Sequence, residues 1–233
     1  MNMKKLLISA LMILTSYTMA SAELGINVGI SAQIGSMEAM ATEKSTDAAS
    51  ADVKSKTQEA LFGAGTYFIE KELSFLPGPL SRLSVGYDNI GHDISLGSAS
   101  NVKTDGLGTS ANNTQIFTNV ATADVVGMDS LYATVNITDW LYIKAGNVSV
   151  DVKTSESLQS NTSASYPDVG LDGSIIGIGY HGETDSGLFF RLELNEYSID
   201  GATVTQTGGA NKRSILIGDI SGTTARVSVG KAF

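Results

Sequence analysis

Two histidines, no cysteine and a scatter of carboxylates are the raw material for chemistry in this 233-residue chain. His92 and Asp93, followed by Ser95, are the residue types of a hydrolytic site, in which a base takes the proton of a serine hydroxyl. On a β-strand, residues three apart point to opposite faces, so this His and Ser do not meet. His181 falls three strands away from His92 and towards the other end of its strand, which argues against a shared metal site. Without cysteine there are no disulfides and no thiolate ligands. Glu38, Glu43, Asp47, Asp52 and Glu59 lack EF-hand spacing and read as solvated loop carboxylates, with divalent-cation binding as the competing reading. The expectation is no catalytic residue, no metal and no cofactor.

A second set of charges is more regular. Arg82, Asp88, Lys144, Arg191, Glu193 and Arg226 all fall on the polar side of alternating segments. Leu83, Val85 and Tyr87 alternate with Arg82, Ser84, Gly86 and Asp88, and Leu188, Phe190, Leu192 and Leu194 with Phe189, Arg191, Glu193 and Asn195. Charges held on one face of a closed sheet must pair inside it or line a pore. Pairing is the expected arrangement, a lumenal polar network.

The elements that would hold them are strands. The first 22 residues read as a cleavable export signal: Lys4 and Lys5, an apolar run from Leu6 to Leu14, then Ala20-Ser21-Ala22. The remainder, 23–233, reads as one domain. Its formal charge moves from −9 to −11 when the two lysines leave, which speaks against a nucleic-acid partner. From Leu24 to Gly35 apolar and small polar residues alternate strictly, and the chain closes with Ala225, Val227, Val229, Lys231 and Phe233 against Arg226, Ser228, Gly230 and Ala232.

Between the segments the connections alternate in length. Long polar loops are expected over 38–60, the first with some helix, then 97–113, 153–171 and 201–212. Short turns are expected at Pro77-Gly78-Pro79, Thr138-Asp139 and 183–187. A shift of the apolar parity at Val148, Val150 and Val152 implies a bulge near Asn147. The parity of Leu61–Leu73 is open, because Phe62, Ala64 and Phe68 compete with Tyr67 and Ile69. Four long loops against three short turns make eight strands, with ten as the alternative if the second loop hides a hairpin.

The apolar face is assigned outward, to lipid. The polar face is rich in Gly, Ser, Thr and Asn, small enough for a narrow lumen, and aromatic residues gather near strand ends at Phe75, Trp140, Tyr142, Tyr180, Phe189, Phe190 and Phe233. The last ten residues, with Ala225, Val227, Val229 and Phe233 in alternation and Lys231 departing from it, resemble the C-terminal insertion signal of bacterial outer-membrane barrels. As architecture, the chain resembles the small OmpA, OmpX and OmpW-type barrels. That resemblance implies an all-β, eight-stranded antiparallel up-and-down transmembrane barrel in the outer membrane, with no catalysis and a structural or surface-interaction role. It also implies contact with outer-membrane lipid and lipopolysaccharide, handling by the barrel-assembly machinery through the last strand, and a monomeric state. The competing role is a narrow, porin-like conduit for small or hydrophobic solutes. Glycines at Gly25, Gly29, Gly177 and Gly179 favour open space, while paired charges favour closure.

Overall fold

Strict two-residue alternation buries one face of every strand and leaves the other outside, and a sheet with such faces closes on itself if its edges can pair. In the computed structural model, which describes residues 24–45, 53–106, 114–158, 165–208 and 213–233, they do. The expected export signal lies outside the described residues. The strands are β1 (Ile26–Ser45), β2 (Val53–Glu72), β3 (Leu83–Ile90), β4 (Ile94–Gly106), β5 (Thr114–Asn136) and β6 (Leu141–Leu158). They continue with β7 (Val169–Glu183), β8 (Leu188–Ile199), β9 (Ala202–Thr205), β10 (Arg213–Ile217) and β11 (Ile220–Ala232). Eight of them, β1, β2, β3, β5, β6, β7, β8 and β11, form an antiparallel barrel sealed by β11 on β1, in register from Asn27↔Ala232 to Glu38↔Ser221.

The other strands prolong barrel strands. β4 continues β3 along the same partner, β5, and β10 continues β11 along β1. β9 pairs β10. The second long loop therefore holds no extra hairpin among the described residues, and the ten-strand alternative is not the one adopted. The expected first loop is also different. Instead of a loop with helix, β1 and β2 stay paired from Ile26↔Lys71 to Lys44↔Val53. Its polar, small residues misled because a ladder in this position needs no apolar alternation.

Short turns close the opposite end. Thr138 Oγ1 accepts the N–H groups of Trp140 (3.3 Å) and Leu141 (3.0 Å), and Gly187, at φ 76°, makes the tight reversal before β8. Pro77-Gly78-Pro79 is followed by a 3-10 turn, Gly78–Arg82, so β3 begins only at Leu83.

The faces divide the barrel into two zones. At the turn end, Ile30, Ile34, Leu131, Ile143, Ile176, Ile178, Leu192, Leu194, Val227 and Val229 are exposed on the outside while the inside is polar. At the hairpin end the arrangement inverts. Val148, Val150, Val152, Leu171, Ile175 and Ile199 are buried inside, with Asn147, Ser149, Asp151, Asp172 and Ser174 outside. The parity shift in β6 is thus no bulge, since β6 pairs β7 without interruption from Leu141↔Tyr180 to Val152↔Val169. It marks where the outward face changes from apolar to polar. The register irregularity lies across the ladder on β5, between Val125 and Gly127.

Truncating an inward valine should therefore cost more than truncating an outward neighbour. Val150→Ala is expected to lower unfolding stability by about 2 kcal/mol, and Ser149→Ala by less than about 0.5 kcal/mol. Urea titration of the refolded barrel, followed by loss of the heat-shifted gel band, measures both; equal costs would refute the inward assignment.

Candidate functional site

The polar interior at the turn end gathers side chains from six strands. Glu70 comes from β2, Asp88 from β3, Lys144 from β6, Arg191 and Glu193 from β8, and Arg226 from β11, with Ser31 of β1 beside them. Each stands on an inward position, and each is buried.

Arg191 and Glu70 form a two-pronged pair, Nη2 to Oε1 at 2.8 Å and Nη1 to Oε2 at 2.9 Å. Such a fork matches the planar guanidinium to both carboxylate oxygens. Tyr132 adds its hydroxyl to Glu70 Oε2 (3.3 Å), and Asn27 Nδ2 reaches Glu70 Oε1 (3.4 Å) and Glu72 Oε1 (2.9 Å). Arg226 forms the second centre. It bonds Asp88 through Nη1, Ser31 Oγ through Nη2 (2.6 Å), and lies 3.2 Å from Glu193 Oε2 through Nε. Lys144 completes the set, with Nζ 3.5 Å from Glu193 Oε1 and 4.0 Å from the centre of the Tyr132 ring.

The six buried charges sum to zero: Glu70, Asp88 and Glu193 against Lys144, Arg191 and Arg226. An uncompensated charge in this position would cost several kcal/mol, so neutrality is what allows the layer to exist.

Aromatic rings brace the layer. The Arg191 guanidinium lies 4.8 Å from the Phe189 ring centre and 5.5 Å from those of Phe68 and Tyr142. Four inward rings each cover an inward glycine on the paired strand. Phe68 covers Gly29, Tyr132 covers Gly86, Tyr142 covers Gly179 and Phe189 covers Gly230; a Cβ at those glycines would come within 2.2–2.6 Å of the ring. Of the four inner glycines that read as open space, Gly29 and Gly179 thus seat rings, Asn195 fills the place beside Gly177, and Gly25, at φ 59°, lies against Glu72 and Lys71.

Of the sequence-derived set, Asp88, Lys144, Arg191, Glu193 and Arg226 come together here. Arg82 does not. It precedes β3, in the 3-10 turn where strand alternation does not apply, and its exposed guanidinium donates to the carbonyls of Ile137 (2.9 Å) and Asn136 (3.5 Å) on the neighbouring turn. Glu70 is the member that strand reading missed. The signal that points to it is charge: the alternating segments supplied four basic and two acidic inward residues, an imbalance that a narrow interior does not tolerate.

Two expected belt aromatics, Tyr142 and Phe189, also point inward. Trp140, Tyr180 and Phe190 remain outside as a row of mutually tilted rings, 5.8 Å between successive ring centres.

At the last strand, Ala225, Val227 and Val229 face outward opposite Leu194, Leu192 and Phe190. Phe233 exchanges backbone hydrogen bonds with Ile26, and Lys231 Nζ reaches the carbonyl of Ser186 at the last turn.

The two histidines lie apart. His181 is in the polar interior near the turns, 3.4 Å from Glu183 and tilted against the Phe189 ring at 5.5 Å, whereas His92 is exposed and accepts the N–H of Gly65 through Nε2 (2.9 Å). The side chain of Ser95 lies outside the described residues, as do those of Glu43, Asp47 and Asp52. Among the described residues no three His, Asp or Glu side chains gather around a common metal position.

An ion pair this buried makes a distinct energetic prediction. Arg191→Met should cost about 3–5 kcal/mol by leaving Glu70 alone. Adding Glu70→Gln should restore most of that loss, measured as a double-mutant cycle by denaturant unfolding in micelles. Additive losses would refute the coupling. Arg82→Ala, at the rim, should cost less than about 1 kcal/mol.

No protein-family model matches the chain, and no curated protein matches it. Solved structures do. The outer membrane protein OprG from Pseudomonas aeruginosa aligns over 91% of this chain and 99% of its own, at 10% identity and a TM-score of 0.52. The outer membrane protease OmpT from Escherichia coli aligns over 93% and 99%, at 9% identity and 0.46. Ail, the attachment invasion locus protein of Yersinia pestis, aligns over 88% and 99%, at 10% identity and 0.33. The likeness to OprG is one of fold. The closed eight-stranded antiparallel barrel of this chain is that of an outer-membrane β-barrel protein.

Proposed function

We propose that this protein is a closed barrel of the bacterial outer membrane that anchors a rigid β-structure at the cell surface, without catalysis and without conducting solutes. One observation carries the reading: the interior is occupied in two chemically different layers along its axis. The neutral ion-pair layer fills the turn end. Above it, towards the hairpins, Phe62, Ile90, Met128, Val148, Ile175 and Tyr197 are packed as in a soluble core. An ion crossing the barrel would have to break a neutral salt-bridge layer and then enter an apolar one, and each step is costly.

The apolar layer also stiffens the part of the barrel that stands above the outward apolar belt. In this reading the turns lie in the periplasm, where short connections belong, and the paired extensions of β1, β2, β4, β5 and β6 stand outside the cell. The outward belt of Ile, Leu and Val meets lipid. The carboxylates above it, Asp129, Asp151, Asp172 and Glu196, lie at the height of lipopolysaccharide headgroups. The final strand, through Ala225, Val227, Val229 and Phe233, is the segment that the barrel-assembly machinery engages.

Planar-bilayer recording of the refolded mature protein tests the closed lumen. A silent bilayer is expected. Stable single-channel steps whose size changes on replacing Arg191 or Arg226 by a neutral residue would overturn it in favour of a narrow conduit.

A further inference from the structure

Above the ion-pair layer the barrel wall is not sealed all round. β2 pairs β1 along its whole length, but on its other edge it pairs β3 only from Glu72↔Ser84 to Thr66↔Ile90. From Val53 to Gly65 no strand is laddered to that edge among the described residues. β4, which continues β3, is laddered only to β5.

The orientation of the free backbone groups follows from the bonds at the strand's end. Glu72 N–H donates to Gly25 O (2.7 Å) on the β1 side, and Leu73 N–H to Leu83 O (2.8 Å) on the β3 side. Odd-numbered residues of β2 therefore address the β3 edge. Gly65 N–H keeps to this rule and ends on His92 Nε2 (2.9 Å), so a side chain caps the seam where the β3 ladder stops. Gly63, Leu61, Glu59 and Thr57 follow with their donors and acceptors directed to the same edge.

We propose that this edge, Thr57–Gly63 of β2, binds an extended, uncharged segment of another polypeptide by strand addition, as an antiparallel continuation of the β2–β3 ladder. The idea rests on the surface-display reading above and names the kind of partner. Three observations favour a peptide. The interior behind the seam is filled, with Phe62, Ala64 and Ile94 only 7–8% exposed, so the seam does not lead a solute into a cavity. What it offers is backbone hydrogen-bonding groups, which an extended chain matches.

Beyond Lys54 and Lys56 at its far end, the edge lacks the usual protection. Thr57–Gly65 contains no proline or lysine and a single charge, Glu59. Lastly, β2 keeps an unbroken register along β1, whereas β4 has a register shift between Ser95 and Ser98, which makes β2 the regular template and β4 of a second copy a poor occupant.

The test uses a fluorescent synthetic peptide with the sequence of β3, Leu83–Ile90, carrying Asp88→Asn so that it is uncharged, added to the full mature protein in micelles, with binding followed by anisotropy. Saturable binding is expected, weakened at least tenfold by Gly63→Pro and by Leu61→Pro. Each removes an N–H on the free edge and none from the β1 ladder, and retention of the heat-shifted band shows that the variant has folded. Should both prolines abolish folding, a nitroxide on Glu59→Cys, the chain's sole thiol, must lose mobility when the peptide is added.

No saturable binding, binding unaffected by the prolines, or a nitroxide that stays mobile overturns the proposal. So does an oxidised Glu59→Cys dimer in bilayers without peptide, which would give the edge to a second copy. Conductance recorded on the same preparation separates the two ideas: failure of peptide binding in a silent barrel removes this site alone, while a conducting barrel removes the display reading.

Discussion

A backbone N–H or C=O left without a partner in hydrocarbon costs several kcal/mol, and that constraint organises the molecule. It forces β11 onto β1 over the height of the apolar belt, from Asn27↔Ala232 upward. Closure at eight strands then makes the interior too narrow for a water column and wide enough only for side chains. Those side chains must meet one another's charges, hence the forked Arg191–Glu70 pair and Arg226 between Asp88 and Glu193. The rings seated on Gly29, Gly86, Gly179 and Gly230 fill what the charges leave.

In the proposed membrane setting the same constraint lapses where lipid gives way to water, and the structure changes character at that height. Outward positions turn polar in β5, β6, β7 and β8, at Asp129, Asn147, Ser174 and Glu196. The interior turns apolar in compensation, because above the membrane the usual logic of a water-soluble sheet applies. Only there does the wall part between β2 and β4, since water can satisfy an open strand edge that lipid cannot. The ion pairs, the apolar layer and the open seam are thus three responses to one change of solvent along a single axis.

Several features were open to reading from residues alone, and the reasons for the failures are physical. Strands such as β8 and β11, with one apolar and one polar face, declare their parity through period two. β2 does not, because Phe62, Ala64 and Phe68 serve the interior while Leu61, Tyr67 and Ile69 serve the outside. A strand apolar on both faces hides its register, and Glu70 was hidden with it. Arg82 failed for the opposite reason, since alternation was extended one residue past the true start of β3 into a 3-10 turn. At Val148 the alternation was sound, but the parity shift was read as a defect in the strand, when the surroundings had changed and the strand had not.

By itself the sequence determined the fold class, the order of long and short connections, the number of strands and most of the charges that line the interior, since each depends on local periodicity or on turn chemistry within a few residues. Tertiary structure alone decided which charge meets which. Glu70 and Arg191 are 121 residues apart and Asp88 and Arg226 are 138 apart, so their meeting depends on closure of the whole sheet. It also decided that inward glycines hold rings and that β2 keeps a free edge. Those outcomes are set by the register between strands, which no single strand records.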